Sequence, residues 1–376
     1  MRICRIRIYE VNLDFTQPAS ISYKTWTRVN NLLTIVDTDD GLSGYGEAAP
    51  FKPITGDSLG DSLRFLYSAA KRLIGEKLSS QEEIRPILDK VSGDLGFFSS
   101  TGMAALESSC YDIAGKMLGK PIYRLLGSSE PKLSPNTVTI YLGATEDITD
   151  RTRDLLARYS EHGLSRIKLK LSGDPEPDLH RVLSVAKVHT GLITLDANQA
   201  YSNPDMAIDL FNRIHDRLSS QVALVEEPCP KRDLRKLKKV TDNSRIPTFA
   251  DESAATLDDI KRIVEDKAAN GINLKLQKVG GITRGLEAVR LASMSNIEVM
   301  VGCMMEGGTS IACGTNFATG VDHISCTDLD TDLELRNDVI IEDSKTLFIH
   351  GSRVPLDRPG LGVELGRLPS PIYTID

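Results

Sequence analysis

No stretch of this 376-residue chain approaches the roughly 18 consecutive apolar residues that a membrane span needs, so no membrane role is expected. Basic residues are not in excess either. With 45 Lys and Arg against 52 Asp and Glu, the formal charge is −7, which excludes a general nucleic-acid binder because phosphate binding needs a basic surplus. The one basic run, Lys231 to Lys239, is interrupted at helical spacing by Leu234, Leu237 and Val240 and reads as the solvated face of an amphipathic helix. Six cysteines (Cys4, Cys110, Cys229, Cys303, Cys313, Cys326) include no CxxC pair, and three lie in apolar runs. Reduced thiols in a cytoplasmic protein fit this better than a disulfide framework. The opening MRICRIRIYEVNL alternates charged and apolar residues, as a strand does and a signal peptide does not. There is no GxSxG, no P-loop and no GxGxxG after a first strand, so serine acyl transfer, nucleotide hydrolysis and an open dinucleotide-binding sheet are not expected.

What is present divides by period. Residues 1–60 read as antiparallel sheet, with a hairpin turn at Asp39-Asp40-Gly41 and a strand ending near Glu47. Residues 15–28 are polar and strand-poor and are expected to form an exposed loop; FKPITGDS (51–58) is a second loop. From Ser58 to Leu126 the pattern is helical. It is clearest where Met103, Leu106, Cys110, Ile113, Ala114 and Met117 share a face, with Thr101 as N-cap and Gly119 as stop.

After Gly127, strand-like runs begin near residues 137, 166, 192, 222, 247, 271, 297 and 324, mostly separated by helical segments such as PDMAIDLFNRIHDRL. Eight such units are what a (β/α)₈ barrel requires. The expected architecture is α/β: a barrel over 129–345 and an α+β capping domain over 1–128, completed by a Gly- and Pro-rich segment, 346–376, that folds back.

Three of the barrel strands end in carboxylates: LITLDANQ in Asp196, VALVEEP in Glu226 and PTFADES in Asp251. Catalytic groups of a barrel lie at these C-terminal strand ends. Neighbouring strands are only ~5 Å apart, so the three acids would crowd together. A hard divalent cation relieves that repulsion, and an all-oxygen set suits one Mg²⁺. The bland alternative, an N-cap after each strand, accounts poorly for three in succession. In RIKLK, Lys168 and Lys170 alternate with apolar residues and point to one face, into the barrel; Lys275 sits similarly in INLKLQK. They are either interior salt bridges or general bases flanking the metal. None of the six histidines (162, 180, 189, 215, 323, 350) falls at a strand end, which removes a His proton acceptor and the usual zinc site. The last strand ends in Asp328-Leu329-Asp330, a DxD that holds an ammonium group or is merely an acidic loop. GCMMEGGTS (302–310) adds Glu306 and an expected flexible loop.

Taken in order, KLK, DANQ, EEP, ADES, NLKLQKVGG and GCMME, with GYGEAAP and GKPIYRLLG upstream, resemble the enolase superfamily, muconate-cycloisomerase-like subgroup. The resemblance implies Mg²⁺ on Asp196, Glu226 and Asp251, an acid/base pair of Lys170 and Lys275, and Lys168 beside the substrate carboxylate. It implies proton abstraction α to a metal-bound carboxylate, with inversion of the centre. The DxD resembles that of dipeptide epimerases, where Asp328 and Asp330 would hold the α-ammonium. Lys24 in the first capping loop would meet a side-chain carboxylate, as in L-Ala-D/L-Glu epimerases, and Ile54 of ITGDS and Met304 of GCMME would line the pocket. Asp332 and Glu334, following the DxD where a proline is usual, point instead to a cationic dipeptide. The alternatives on this scaffold are o-succinylbenzoate synthase, N-acylamino acid racemase and muconate cycloisomerase activities. A small dipeptide substrate and a homo-oligomer are the expected partners.

Overall fold

The structure is a computed structural model that describes residues 1–143, 147–231 and 233–376. The N-terminal part is an antiparallel sheet of β1 (Ile3–Ile21), β2 (Lys24–Thr38) and β3 (Ser43–Ala48). Residues 15–28, expected as a loop, are instead the far end of the β1–β2 hairpin, which turns at residues 22–23. A register shift between Asp14 and Ala19 takes up the irregular, proline-containing stretch. Phe15, Ala19, Ile21 and Trp26 are buried there, which holds the polar segment in strand form. The 51–58 segment likewise contains one helical turn, Lys52–Thr55, closed by Gly56.

The sheet packs on the helix Ser100–Leu118 through GYG. A Cβ on Gly46 would lie 1.9 Å from the Ala105 carbonyl oxygen, and one on Gly44 2.0 Å from that of Ser109, so only glycine allows this approach. Every residue from Ser100 to Gly115 is buried, not a single face, because sheet, barrel and neighbouring helices enclose the helix. Its N-cap is Ser99, not Thr101: the Ser99 hydroxyl accepts from the Gly102 N–H, whereas Thr101 is already helical. Gly119 ends it in the left-handed region, as expected.

The remaining strands form the barrel: β4 (Thr137–Ile140), β5 (Arg166–Lys170), β6 (Leu192–Asp196), β7 (Val222–Glu226), β8 (Thr248–Ala250), β9 (Gly271–Leu274), β10 (Glu298–Gly302) and β11 (Ile324–Asp328). Each pairs in parallel with the next in an eight-stranded sheet. A parallel bridge between Asn136 and Thr327 joins its two ends. The buried Asn136 amide secures that seam, its oxygen accepting from the Thr327 hydroxyl at 2.9 Å and the Leu329 N–H at 3.0 Å. Lys275 lies one residue beyond β9 as the cap of a short helix, Leu276–Val279, rather than within a strand. The basic run forms the helix Leu234–Asn243 with Leu237 and Val240 buried; Arg232 lies outside the described residues.

A short hairpin, β12 (Leu347–Ile349) and β13 (Ser352–Val354), bridges to Pro135 near the start of β4. The chain then returns to the first sheet, where β14 (Tyr373–Ile375) pairs antiparallel with β1. All six cysteines are free and five are buried, two more than the apolar runs suggest. No helix among the described residues is long and apolar enough to cross a membrane.

Candidate active site

Parallel register sets the site. Lys170 pairs with Asp196 across β5–β6, and Asp196 with Glu226 across β6–β7, so the three residues stand abreast at the strand ends. Asp251 follows β8 by one residue. Among the described residues, Asp196, Glu226 and Asp251 are the one group of three or more potential metal ligands that gathers, with one oxygen from each within 4.8 Å of the others. All three are buried.

The lysines surround them. Lys170 Nζ lies 2.5 Å from Asp196 Oδ2, and Lys275 Nζ 2.7 Å from Asp251 Oδ2. Lys168 Nζ reaches Glu226 at 3.0 Å and Asp196 at 3.3 Å and is paired with Asp328. β5 and β9 are four strands apart in a ring of eight, so Lys170 and Lys275 approach the acidic cluster from opposite sides of the barrel.

The electrostatics are unbalanced. Asp196, Glu226, Glu227, Asp251, Glu252, Asp328 and Asp330 are buried at these strand ends with only Lys168, Lys170, Lys275 and Lys278 among them, an excess of three negative charges. Burial pushes Glu226 up to about 8, and burial with the nearby Asp251 pushes Glu252 to about 8 as well. Burial also works against the Asp251 carboxylate, but Lys275 and Lys278 overcome it and hold Asp251 well below its usual range. Conversely, burial disfavours the Lys275 ammonium, and Asp251 outweighs that and raises it. Glu226 Oε1 accepts no hydrogen bond of good geometry, although Lys168 is near. An orphaned, buried carboxylate oxygen facing two further carboxylates is the donor set of a hard divalent cation, and the residues fit Mg²⁺.

These strand ends open into a partly enclosed cavity. Lys168, Lys170, Lys275, Asp328, Asp330, Ile54 and Met304 all line it. Within the DxD, Asp328 is engaged by Lys168 and by the Thr137 hydroxyl at 2.7 Å. Asp330 accepts from the Thr139 N–H at 2.7 Å and has no salt-bridge partner among the described residues. Burial and Asp328 raise it to about 7.

Two expectations are corrected, and Lys24 stands apart from the cavity lining. Asp332 and Glu334 do not face the cavity: Asp332 is locked at 2.5 Å to Arg353 in a buried pair, and Glu334 meets Arg158 at 3.2 Å on the outer side. The 302–310 segment is buried and passes directly into the helix Gly308–Gly320, with the Glu306 carboxylate accepting the Met304 N–H at 2.6 Å. It is a fixed wall rather than a flexible loop. Lys24 is exposed and does not line the cavity; its Nζ sits 4.6 Å from the Phe51 ring centroid and 5.0 Å from that of Trp26, and those two rings form part of the wall.

Several supporting residues lie within the motifs, but the motifs alone give them no role. Asn273 Nδ2 donates to Glu226 Oε2 at 2.7 Å, and a signal for it exists: it stands two residues before Lys275 on the interior face of β9. Glu227 accepts from the backbone N–H groups of Asp251 (2.8 Å) and Ser253 (2.9 Å), so the second acid of EEP fixes the backbone that carries Asp251. Asn198, Gln199 and Glu227 adopt positive φ (42°, 67° and 36°), the tight strand exits that bring these side chains together.

Comparison with known proteins places these features in context. Residues 3–127 match the family described as "Mandelate racemase / muconate lactonizing enzyme, N-terminal domain", and residues 151–367 the "Enolase C-terminal domain-like" family. The chain is 30% identical over 368 residues to an L-Ala-D/L-Glu epimerase of Clostridium acetobutylicum, covering 97% of this chain and 99% of that protein. It is 32% identical over 367 residues to a hydrophobic dipeptide epimerase of Citrifermentans bemidjiense, covering 94% and 95%. Among solved structures, a dipeptide epimerase of Enterococcus faecalis V583, complexed with Mg and L-Leu-L-Tyr, superposes with a TM-score of 0.87 at 26% identity, covering 96% of this chain and 99% of that one.

Proposed function

The chain belongs to the mandelate racemase and muconate lactonizing enzyme group of the enolase superfamily, and from that premise we propose that it epimerises dipeptides at the α-carbon of the C-terminal residue. The observation that carries this reading is a pair of lysines on opposite sides of one acidic cluster, with Asp330, which has no salt-bridge partner among the described residues, lining the same cavity.

Asp196, Glu226 and Asp251 would hold Mg²⁺. When bound, the ion supplies Lewis-acid stabilisation for charge that develops on the substrate carboxylate. Lys168, buried between Asp196, Glu226 and Asp328, adds a fixed positive charge at the same place. One of Lys170 and Lys275, as the neutral amine, takes the α-proton, and the C–H electron pair delocalises toward the carboxylate oxygens. The other, as the ammonium, delivers a proton to the opposite face. The centre inverts, the two lysines exchange protonation states, and nothing is oxidised or reduced. Asp330, assisted by Asp328, would receive the dipeptide's ammonium and so distinguish a dipeptide from an N-acylated amino acid or a lactone.

The four substituents of the α-carbon also assign the side chain. With the carboxylate toward the acids, the proton toward a lysine and the amide toward Asp330, the side chain faces the cap. That wall is Ile21, Tyr23, Trp26, Phe51, Ile54 and the barrel's Met304, none of them charged, which favours an apolar C-terminal residue. A second reading, an acidic residue as in L-Ala-L/D-Glu, is favoured by Lys24, which stands just behind the Trp26 and Phe51 rings. Incubating the protein with Mg²⁺ in D₂O and a dipeptide library tests both. Deuterium is expected at the C-terminal α-carbon, fastest for Leu, Met or Phe; fastest exchange in L-Ala-L-Glu selects the second reading, and no exchange in any dipeptide refutes epimerisation.

A further inference from the structure

We propose that Gln277 is a positioning residue for Lys275, tying it to the cap and to the Met304 wall of the cavity; this rests on the two-lysine reading above. Gln277 stands two residues after Lys275 in the one-turn helix Leu276–Val279 and is almost fully buried. Both ends of its amide are bound. The oxygen accepts from the Ala49 N–H at 3.1 Å, and the nitrogen donates to the Glu47 carbonyl at 2.8 Å and the Ser310 hydroxyl at 3.0 Å. Two of the three bonds therefore reach the end of β3 in the cap, immediately before the Phe51–Ile54 wall.

The third bond leads to the other wall. Ser310 hydrogen-bonds to Glu306, whose second oxygen accepts the Met304 N–H. Glu47 adds a parallel tie, its carboxylate accepting from the Gly307 and Ser310 N–H groups and from Asn31. Gln277 is thus the junction at which the turn carrying one lysine, the cap and the 304–307 segment share one fully bonded buried network. A four-residue helix has little rigidity of its own, since forming a first turn is unfavourable without outside support. On the other side of the barrel, Lys170 ends β5, where it pairs in register with Asp196 and donates to that carboxylate; among the described residues it makes none of this network's hydrogen bonds. The dependence is one-sided, and that makes it testable.

The catalytic geometry is steep: a misplacement of ~1 Å costs about a hundredfold. Gln277→Met keeps the size and removes all three hydrogen bonds. The assay follows deuterium wash-in separately from the two C-terminal stereoisomers of one dipeptide, with K170A and K275A identifying which isomer each lysine deprotonates. In Q277M, exchange from the isomer served by Lys275 is expected to fall at least tenfold, while exchange from the other changes less than threefold. Equal losses from both isomers, or no loss from either, would overturn the proposal. If K170A and K275A show no opposite preference, the two-lysine reading itself fails, which is a different result. Should Q277M not fold, Ser310→Ala removes one of the three Gln277 bonds together with the Ser310–Glu306 bond and is expected to give the same one-sided loss, about threefold or more; a symmetric or absent effect counts against Gln277 equally.

Discussion

Asp330→Asn isolates the feature that separates a dipeptide substrate from its N-acylated analogues. Asp330 is buried, accepts a backbone N–H from Thr139 and forms no salt bridge among the described residues. Asparagine keeps the shape and can still accept that bond, so the change removes charge and little else. A hydrogen bond to a charged group contributes about 1.5–3 kcal/mol. At about 1.4 kcal/mol per decade, kcat/KM for a dipeptide should fall roughly ten- to a hundredfold. For the corresponding N-acetyl amino acid, which has no ammonium, the change should stay within about threefold, on the order of the ~0.5 kcal/mol scatter of neutral substitutions.

The pH dependence gives an independent reading of the same group. Only the carboxylate can pair with an ammonium, and burial beside Asp328 raises Asp330 to about 7. Below that pH, kcat/KM of the native protein should fall by up to tenfold per pH unit beyond any fall seen in Asp330→Asn. The raised value also means that the folded state binds this proton more tightly than the unfolded one. Its contribution to stability is therefore present below the unfolded value of about 4 and lost as pH rises through about 7. Metal-free Asp330→Asn should melt above the native protein at pH 8, with the gap closing toward pH 4. Equal kinetic losses on dipeptides and N-acetyl substrates, or parallel pH profiles in native and variant, would refute ammonium binding by Asp330.

Other perturbations test the rest of the site. Lys170→Ala and Lys275→Ala should each lower epimerisation by about 10²–10⁴-fold, measured by polarimetry; near-native turnover in either removes that lysine from the mechanism. Chelation should abolish activity and added Mg²⁺ restore it, while Glu226→Gln should weaken Mg²⁺ binding in a calorimetric titration yet leave the metal-free protein as stable as the native or more so, because a buried carboxylate raised to about 8 is gone. Arg353→Met leaves Asp332 buried without its cation and should cost about 3–5 kcal/mol in denaturant unfolding; a loss under about 1 kcal/mol would show that the pair is not held as described.

The chain alone determined whatever depends on local pattern and on strand order. Apolar runs ending in Asp196, Glu226 and Asp251 at regular intervals imply a barrel and an acidic cluster, because strand ends in a parallel barrel must converge. Alternation in RIKLK is enough to turn Lys168 and Lys170 inward. Local pattern misled where long-range burial overrode it: residues 15–28 look like loop by composition, yet Phe15, Ile21 and Trp26 find a core and the segment becomes strand. Contacts between residues far apart in sequence were decided only by the tertiary structure. Asp332 reads like its neighbour Asp330 until Arg353 arrives from β13 and takes its charge. Lys24 is identified by position alone, and only the fold sets its ammonium against the Trp26 and Phe51 rings. Gln277 falls within NLKLQKVGG but nothing local marks its role, because its significance lies in three distant partners, Glu47, Ala49 and Ser310. Residue type and spacing specify which chemistry is available; which charges remain unpaired, and so free to meet a substrate, depends on the packing of the whole chain.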